Sequence, residues 1–323
     1  MKILIVGLGL IGGAYAKKLT ELGYEVYGAN HRMEAINFAL KNNYIKAGSL
    51  DAKDFLPIVD MVIIGTYPSH IINFLKENKE LFRPDLLITD VTGVKSNYIE
   101  EATKLAYPAT YLAHHPMAGR EKKGIEFAHE VVFKKANFII TPIDGIDYDN
   151  KFFDMLTKIG TDLEFKHIST LDTKSHDFMI GYTSQLAHAI AVALVNSDTK
   201  PDTKLYIGDS YRDLTRIAMI NEVLWSELFF ENKEFLIQNI DLFMNQLSLI
   251  KKSLENNDST IISSLIFGLS NNKSNNFLLP IAPCLINSPI PLLNSLSSKD
   301  LIVLGSINTI LGCLNAPKIF FLP

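Results

Sequence analysis

The run Gly7-Leu8-Gly9-Leu10-Ile11-Gly12 limits what this chain can fold into more than any other segment. It follows an apolar stretch, Lys2–Val6, and leads into residues 11–22, where apolar positions recur at helical spacing. Each glycine of a strand-to-helix turn meets a separate steric demand. The first permits the tight turn, the second lets backbone approach a pyrophosphate, and the third allows close helix–strand packing. The helix that opens there presents unpaired N–H groups to phosphate. Gly7, Leu8, Gly9, Leu10, Ile11 and Gly12 are therefore read as a dinucleotide-binding loop. Lys2 ahead of an apolar run also fits a secretory leader, but the glycines interrupt that run, and strand, turn and helix is the reading preferred.

Up to about residue 168 short apolar runs alternate with amphipathic segments. Residues 2–6, 24–29, 61–65, 86–90, 110–113 and 137–141 read as buried strands, and 11–22, 33–41 and 71–80 as helices between them. This alternation predicts a mostly parallel sheet covered on both faces. After His167 the strands are expected to stop. Residues 173–195 read as one long apolar helix buried in a bundle or a dimer interface, followed by helices over 212–230 and 233–254. The fold class expected is an α/β Rossmann-type dinucleotide-binding domain (1–168) followed by an all-α helical domain for substrate and dimerisation (169–266). Residues 267–323 form a low-charge tail broken by Pro280, Pro283, Pro289 and Pro291, and no function is assigned to it.

Composition narrows the function classes. The 323 residues are 47% hydrophobic and carry a formal net charge of -4, which gives no basic face for nucleic acid. No stretch reads as a membrane span. Cys284 and Cys313 have no metal-ligand spacing, so no metal is expected and a reducing cytoplasm fits best.

Cofactor choice is set where the second strand ends. A carboxylate there binds the ribose 2′-hydroxyl of NAD. This chain has Asn30, His31 and Arg32 instead, so nothing repels a 2′-phosphate and Arg32 is able to pair with one. NAD or NADP is expected, with NADP favoured. Thr66, after the strand 61–65, completes the cofactor-binding set.

Two constellations suggest chemistry on a small acid. Asp90-Val91-Thr92-Gly93-Val94-Lys95 ends a strand at the edge where open sheets bind ligands. His115 follows about twenty residues later, expected just past a strand in a turn fixed by Pro116 and Gly119. A neutral imidazole there accepts a proton from a substrate hydroxyl as hydride leaves the same carbon. His114 points the opposite way and is read as structural. On the long helix, His176, Ser184 and His188 recur at helical intervals, and Ser184 and His188 share a face. Arg212 and Arg216 are four apart; Arg216 is taken as the carboxylate anchor and Arg212 as a surface pair with aspartate.

Taken in order, GLGLIGG, DVTGVK, HHPMAG, His176-Asp177, SQLAH, YRDLTRIA and Trp225 resemble the prephenate dehydrogenases of tyrosine biosynthesis over residues 1 to about 266. The resemblance implies oxidation of a cyclohexadiene carrying two carboxylates and a hydroxyl, with NAD or NADP as hydride acceptor. It further implies that His115 is the catalytic base and that Arg216 holds a substrate carboxylate. Ser184, His188 and Trp225 would line the pocket, and the enzyme would be a homodimer. Two positions depart from the family pattern: Gly93 stands where a serine is common, and Gln185 where a second histidine is common. Arogenate dehydrogenase, a β-hydroxyacid dehydrogenase-like enzyme and a catalytically silent nucleotide-sensing protein are the alternatives.

Overall fold

A computed structural model describes residues 1–119 and 122–272. Cys284, Cys313 and the tail from residue 273 onward lie outside the described residues. The chain divides into two compact units, Met1–Leu249 and Ile250–Pro323.

The first unit begins with β1 (Lys2–Val6), α1 (Leu10–Glu21), β2 (Glu25–Ala29), α2 (Met33–Lys41) and β3 (Ala47–Ser49). It continues with β4 (Met61–Ile64), α3 (Pro68–Asn78), β5 (Leu87–Asp90), α4 (Ile99–Ala106) and β6 (Thr110–Tyr111). These strands form one six-stranded sheet in the order β3-β2-β1-β4-β5-β6, with every pair parallel. Burial explains the strands: all four residues of β4 and four of five in β1 are buried, as a sheet covered on both faces requires. Alternate side chains feed two cores. Ile3 and Ile5 meet Ala14, Leu19 and Ile36 of α1 and α2 on one face. Leu4 and Val6 meet Ile71, Leu75 and Ala102 of α3 and α4 on the other.

Strand order reverses between β1 and β4, the switch point where ligands of such sheets bind. Register puts Val6 opposite both Ala29 and Ile64, so Gly7, Asn30 and Gly65 emerge together at one edge.

A second sheet follows the first. The expected strand over 110–113 is two strands, because β7 (Ala113–Pro116) leaves the large sheet and pairs antiparallel with β8 (Asn137–Thr141). His115 therefore lies within a strand, opposite Ile139, and not in a turn beyond one. After α5 (Asn150–Asp162), β9 (His167–Thr170) pairs parallel with β8, so strands continue past the point where the sequence reading ends them. Its His-Ile-Ser-Thr sequence has one apolar residue and is mostly exposed, which gives no periodic signal. The three small residues of β3 were missed for the same reason.

Helices then take over. The segment 173–196 is helical throughout, but α6 (Thr173–Ile180) and α7 (Leu186–Asn196) are joined by a π turn, Gly181–Gln185. The expected burial of this helix is only partial: Leu186 and Ala191 are buried, whereas Met179, Tyr182 and Val195 are exposed. By length and composition alone it reaches what a membrane span needs, with mean hydropathy 1.5, a test that the core helix of a soluble protein also passes. The helix expected over 212–230 is broken. α8 (Asp209–Thr215) runs into a 3-10 turn, Arg216–Ala218, before α9 (Glu222–Glu231) starts at Asn221, whose side chain accepts the Leu224 N–H. The remaining helices are α10 (Lys233–Glu255) and α11 (Ser259–Asn272).

Candidate active site

The three glycines of the first loop differ in what surrounds them. Gly7 has φ +93°, and a Cβ there would lie 2.8 Å from the Gly65 carbonyl oxygen and from Thr66 Cγ2. A Cβ on Gly12 would sit 2.0 Å from the Gly7 carbonyl oxygen, so helix and turn touch at that point. At Gly9 a Cβ would meet nothing within 4 Å. The loop thus keeps an open face at its middle glycine, and α1 starts there with no side-chain cap and no acidic residue in its first turn. Its free N–H groups and dipole suit a pyrophosphate, so the residues present fit a dinucleotide. Asn30 braces this loop: its Oδ1 accepts the Leu8 N–H at 3.1 Å, and its amide donates to the Arg32 carbonyl. His31 and Arg32 are exposed beside it.

The end of β5 is held by a buried polar network. Asp90 accepts from Lys95 Nζ at 2.6 Å, from Tyr111 at 2.7 Å and from Tyr98 at 2.9 Å, and Thr92 also donates to it. Burial pushes the Asp90 carboxyl up, but Lys95 and Thr92 outweigh it and hold the group below the usual carboxylate range. Lys95, fully buried, also donates to the His114 carbonyl at 2.9 Å. His114 itself is enclosed between Tyr15 and Thr89, 2.8 and 2.7 Å from its two nitrogens. Burial pushes its pKa down to about 3, so it is a neutral core residue as the sequence reading expected.

That network shapes the loop on which a three-residue chain is hung. The backbone N–H groups of Lys95 and Ser96 donate to the carboxylate of Asp177, at 3.0 and 2.7 Å. Asp177 Oδ1 lies 2.7 Å from His176 Nδ1, and His176 Nε2 lies 3.0 Å from His115 Nδ1. The bonding pattern assigns the tautomers. A carboxylate only accepts, so His176 carries its proton on Nδ1 and offers Nε2 as acceptor. His115 then donates from Nδ1, which leaves Nε2 with a free lone pair. Burial, with the neighbouring His176, holds the His115 pKa well below the ordinary imidazole value. Burial lowers that of His176 as well, against the opposing pull of Asp177. Beyond His115 Nε2 lies Gly93: a Cβ there would stand 3.9 Å from that nitrogen and 3.7 Å from Leu228 Cδ2. The missing side chain leaves room for a reactant at the basic nitrogen.

The remaining candidates collect on α7, α9 and the Arg216–Ala218 turn. The His188 ring lies on Trp225, centroids 3.8 Å apart, and its Nδ1 is 2.9 Å from the Ser184 carbonyl. Trp225 and Leu228 share one side of α9, so that helix reaches from His188 to Gly93. Arg216 is exposed on the turn that packs against α7. Arg212 pairs with Asp209, not with Asp213. His176, grouped by spacing with Ser184 and His188, belongs instead with His115. Gln185 is buried and committed to structure: it donates to the Leu228 carbonyl and accepts from Asn232, which also donates to the Asp177 carbonyl.

Comparison with known proteins gives the family. Residues 15–165 match the model for the prephenate dehydrogenase nucleotide-binding domain, and residues 172–266 that for the prephenate dehydrogenase dimerization domain. The chain is 31% identical to the prephenate dehydrogenase of Lactococcus lactis subsp. cremoris over 81% of its length and 73% of the relative's. The chain belongs to the prephenate dehydrogenase family. The Bacillus subtilis prephenate dehydrogenase is 29% identical, over 80% of this chain and 71% of the relative. Among solved structures, prephenate dehydrogenase from Aquifex aeolicus, in complex with hydroxyphenyl propionate and NAD+, superposes with TM-score 0.76. That pair shares 24% identity over 85% of this chain and 97% of the other. Arogenate dehydrogenase from Synechocystis gives TM-score 0.73 at 22% identity, over 85% and 99%.

Membership makes the chain an oxidoreductase with a nicotinamide dinucleotide-binding domain. Within this prephenate dehydrogenase fold the sequence reading missed His176 and Asp177 as neighbours of His115. Their adjacency was noted, but 61 residues separate His115 from His176, and no local pattern links them.

Proposed function

We propose that this chain oxidises and decarboxylates prephenate to 4-hydroxyphenylpyruvate, with NAD or NADP as the hydride acceptor. The observation that carries the proposal is the free Nε2 of a neutral His115 facing the gap at Gly93, on the carboxyl edge of the sheet. The kinship of the chain supports the substrate class, and the solved relative bound to hydroxyphenyl propionate and NAD+ supports both ligands.

His115 Nε2 accepts the proton of the C4 hydroxyl, and the C4 carbonyl forms as its hydrogen departs as hydride. Dinucleotide bound at the glycine loop supplies the acceptor for that hydride. The bond from the ring to its carboxylate then breaks, carbon dioxide leaves, and the electron pair aromatises the ring. The resulting phenolate regains its proton from His115. In this reading Arg216 grips a substrate carboxylate through its fork of donors, and Ser184, His188 and Trp225 wall the pocket. Gly7, Gly9 and Gly12 admit the pyrophosphate, with Leu8, Leu10, Ile11 and Thr66 around it. Asn30, His31 and Arg32 offer no carboxylate to a 2′-phosphate, which favours NADP. The exposed apolar residues Met179, Tyr182 and Val195 support a homodimer formed through the 173–196 helix.

The deciding experiment follows NAD(P)H absorbance with prephenate and with arogenate, each with NAD and with NADP. Highest kcat/KM for prephenate with NADP is expected. Preference for arogenate would move the reading to arogenate dehydrogenase, and absence of turnover on both would end it.

A further inference from the structure

His176 and Asp177 have no part in the mechanism above, yet their placement is costly. Both side chains are fully shielded from solvent, and a buried imidazole–carboxylate pair repays its desolvation only when every polar atom is matched. Here every one is. Asp177 takes two backbone N–H groups from the β5 loop and one proton from His176, whose other nitrogen meets His115. The second nitrogen of His176 meets the imidazole of His115, whose Nε2 faces Gly93.

We infer that His176 and Asp177 are positioning residues for the oxidation: they fix the tautomer and ring plane of His115 so that Nε2 is the atom offered to substrate. The inference rests on the reading of His115 as the base. A lone imidazole turns about its side-chain bonds and exchanges its proton between two nitrogens. His115 is kept from doing either by the acceptor at Nδ1, which is itself held in one tautomer by a carboxylate pinned to backbone. When Nε2 takes the substrate proton, the N–H bond forms there, the Nδ1 proton stays in place, and its bond to His176 strengthens. No proton passes on to Asp177. Gly93 fits the same division of labour. With no side chain at Gly93 to hold Nε2, the hydrogen bond that orients the ring is the one at Nδ1. The charged and titratable groups around His115 are His176 and Asp177 from α6, Lys95 and Asp90 from the β5 loop, and His114 on its own strand.

The test compares the full-length wild type with His176→Gln, His176→Leu and His176→Asn. Each is assayed for cofactor binding by fluorescence, kcat, KM, and the pH dependence of kcat/KM. His176→Leu removes the acceptor and is expected to lower kcat on the order of 10²-fold. Its KM and cofactor affinity should stay within about threefold of wild type, because the loss falls on the transition state. The acid limb of its kcat/KM profile should also move, since His176 is one of the groups that set the His115 pKa. His176→Gln keeps an amide oxygen where Nε2 stood and should stay within about tenfold of wild type. If His176→Leu does not bind cofactor, the comparison passes to Gln against Asn, whose shorter amide does not reach His115 and should lose turnover as Leu does. Equal kcat in the Gln variant and the variant without an acceptor, or no loss in either, overturns the inference while the wild type is active. A wild type inactive on both prephenate and arogenate overturns the reading beneath it, and this inference with it.

Discussion

His176 Nε2 lies 3.0 Å from His115 Nδ1, and this one bond decides which end of the His115 ring is available for chemistry. The donor has to be His115, because Asp177 has already fixed the proton of His176 on its other nitrogen. Nε2 of His115 is thereby the basic atom.

Replacing that atom separates chemistry from binding. His115→Asn should lower kcat on the order of 10²-fold or more while cofactor affinity stays near that of wild type. Arg216→Ala should do the reverse, raising KM for the acid with a smaller change in kcat. Steady-state kinetics with a fluorescence titration of the cofactor checks both. An undiminished kcat in His115→Asn removes the imidazole from the reaction.

The glycine loop makes a contrast that sequence conservation of the motif would not. Gly9→Ala adds a methyl group to open space, so thermal stability should be unchanged while cofactor affinity falls, because the methyl occupies the pyrophosphate's approach. Gly12→Ala drives a methyl group to 2.0 Å from the Gly7 carbonyl oxygen and should destabilise the folded chain outright. Differential scanning fluorimetry with and without cofactor distinguishes the two. Equal loss of stability in both variants contradicts this account.

Acid should weaken the fold through its histidines. His114, His115 and His176 all have folded-state pKa values below the unfolded one, so the unfolded chain binds more protons than the native chain as pH falls below about 6.5. Their contribution is fully present above that pH. It is lost on going down from 6.5 towards the folded values, at up to about 1.4 kcal/mol per pH unit for His114, whose folded value is about 3, with His115 and His176 acting in the same direction. Urea unfolding at pH 7.5, 6.5 and 5.5 measures the slope. A flat dependence between 6.5 and 5.5 refutes it.

The Asp90–Lys95 pair should resist truncation on one side only. Lys95→Met leaves Asp90 buried without its cation and should cost about 3–5 kcal/mol, seen as a lower urea midpoint. The same change frees the loop whose N–H groups hold Asp177, so turnover should fall with stability. A midpoint within error of wild type is the outcome against it.

Much of the fold was legible because its determinants are local. The glycine loop announces a strand and a helix by sterics alone, and the apolar runs of β1, β4 and β5 need no distant partner to be seen. What escaped has a physical reason in each case. β3 and β9 are short and carry no apolar repeat. The break before α9 was signalled by Asn221 followed by Glu222, a helix-start pattern that the surrounding apolar residues masked. His115, Gly93 and Trp225 were picked out along the chain, whereas the contact between His115 and His176 exists only once β7 and α6 are packed. Gln185, which departs from the family pattern, is a brace between α9 and the long helix.

The π turn at Gly181–Gln185 sets the angular phase of that helix. One residue more than an α-helix needs is accommodated there, and one residue corresponds to about 100° of rotation about the axis. Upstream of it His176 and Asp177 look toward His115 and the β5 loop; downstream His188 lies on Trp225. Deleting a single residue from the turn would leave the helix intact and every side chain present, yet swing one half out of phase with the other. An insertion–deletion scan across 181–185 would read that phase directly, because activity would fall with the first residue removed while helical content stayed the same.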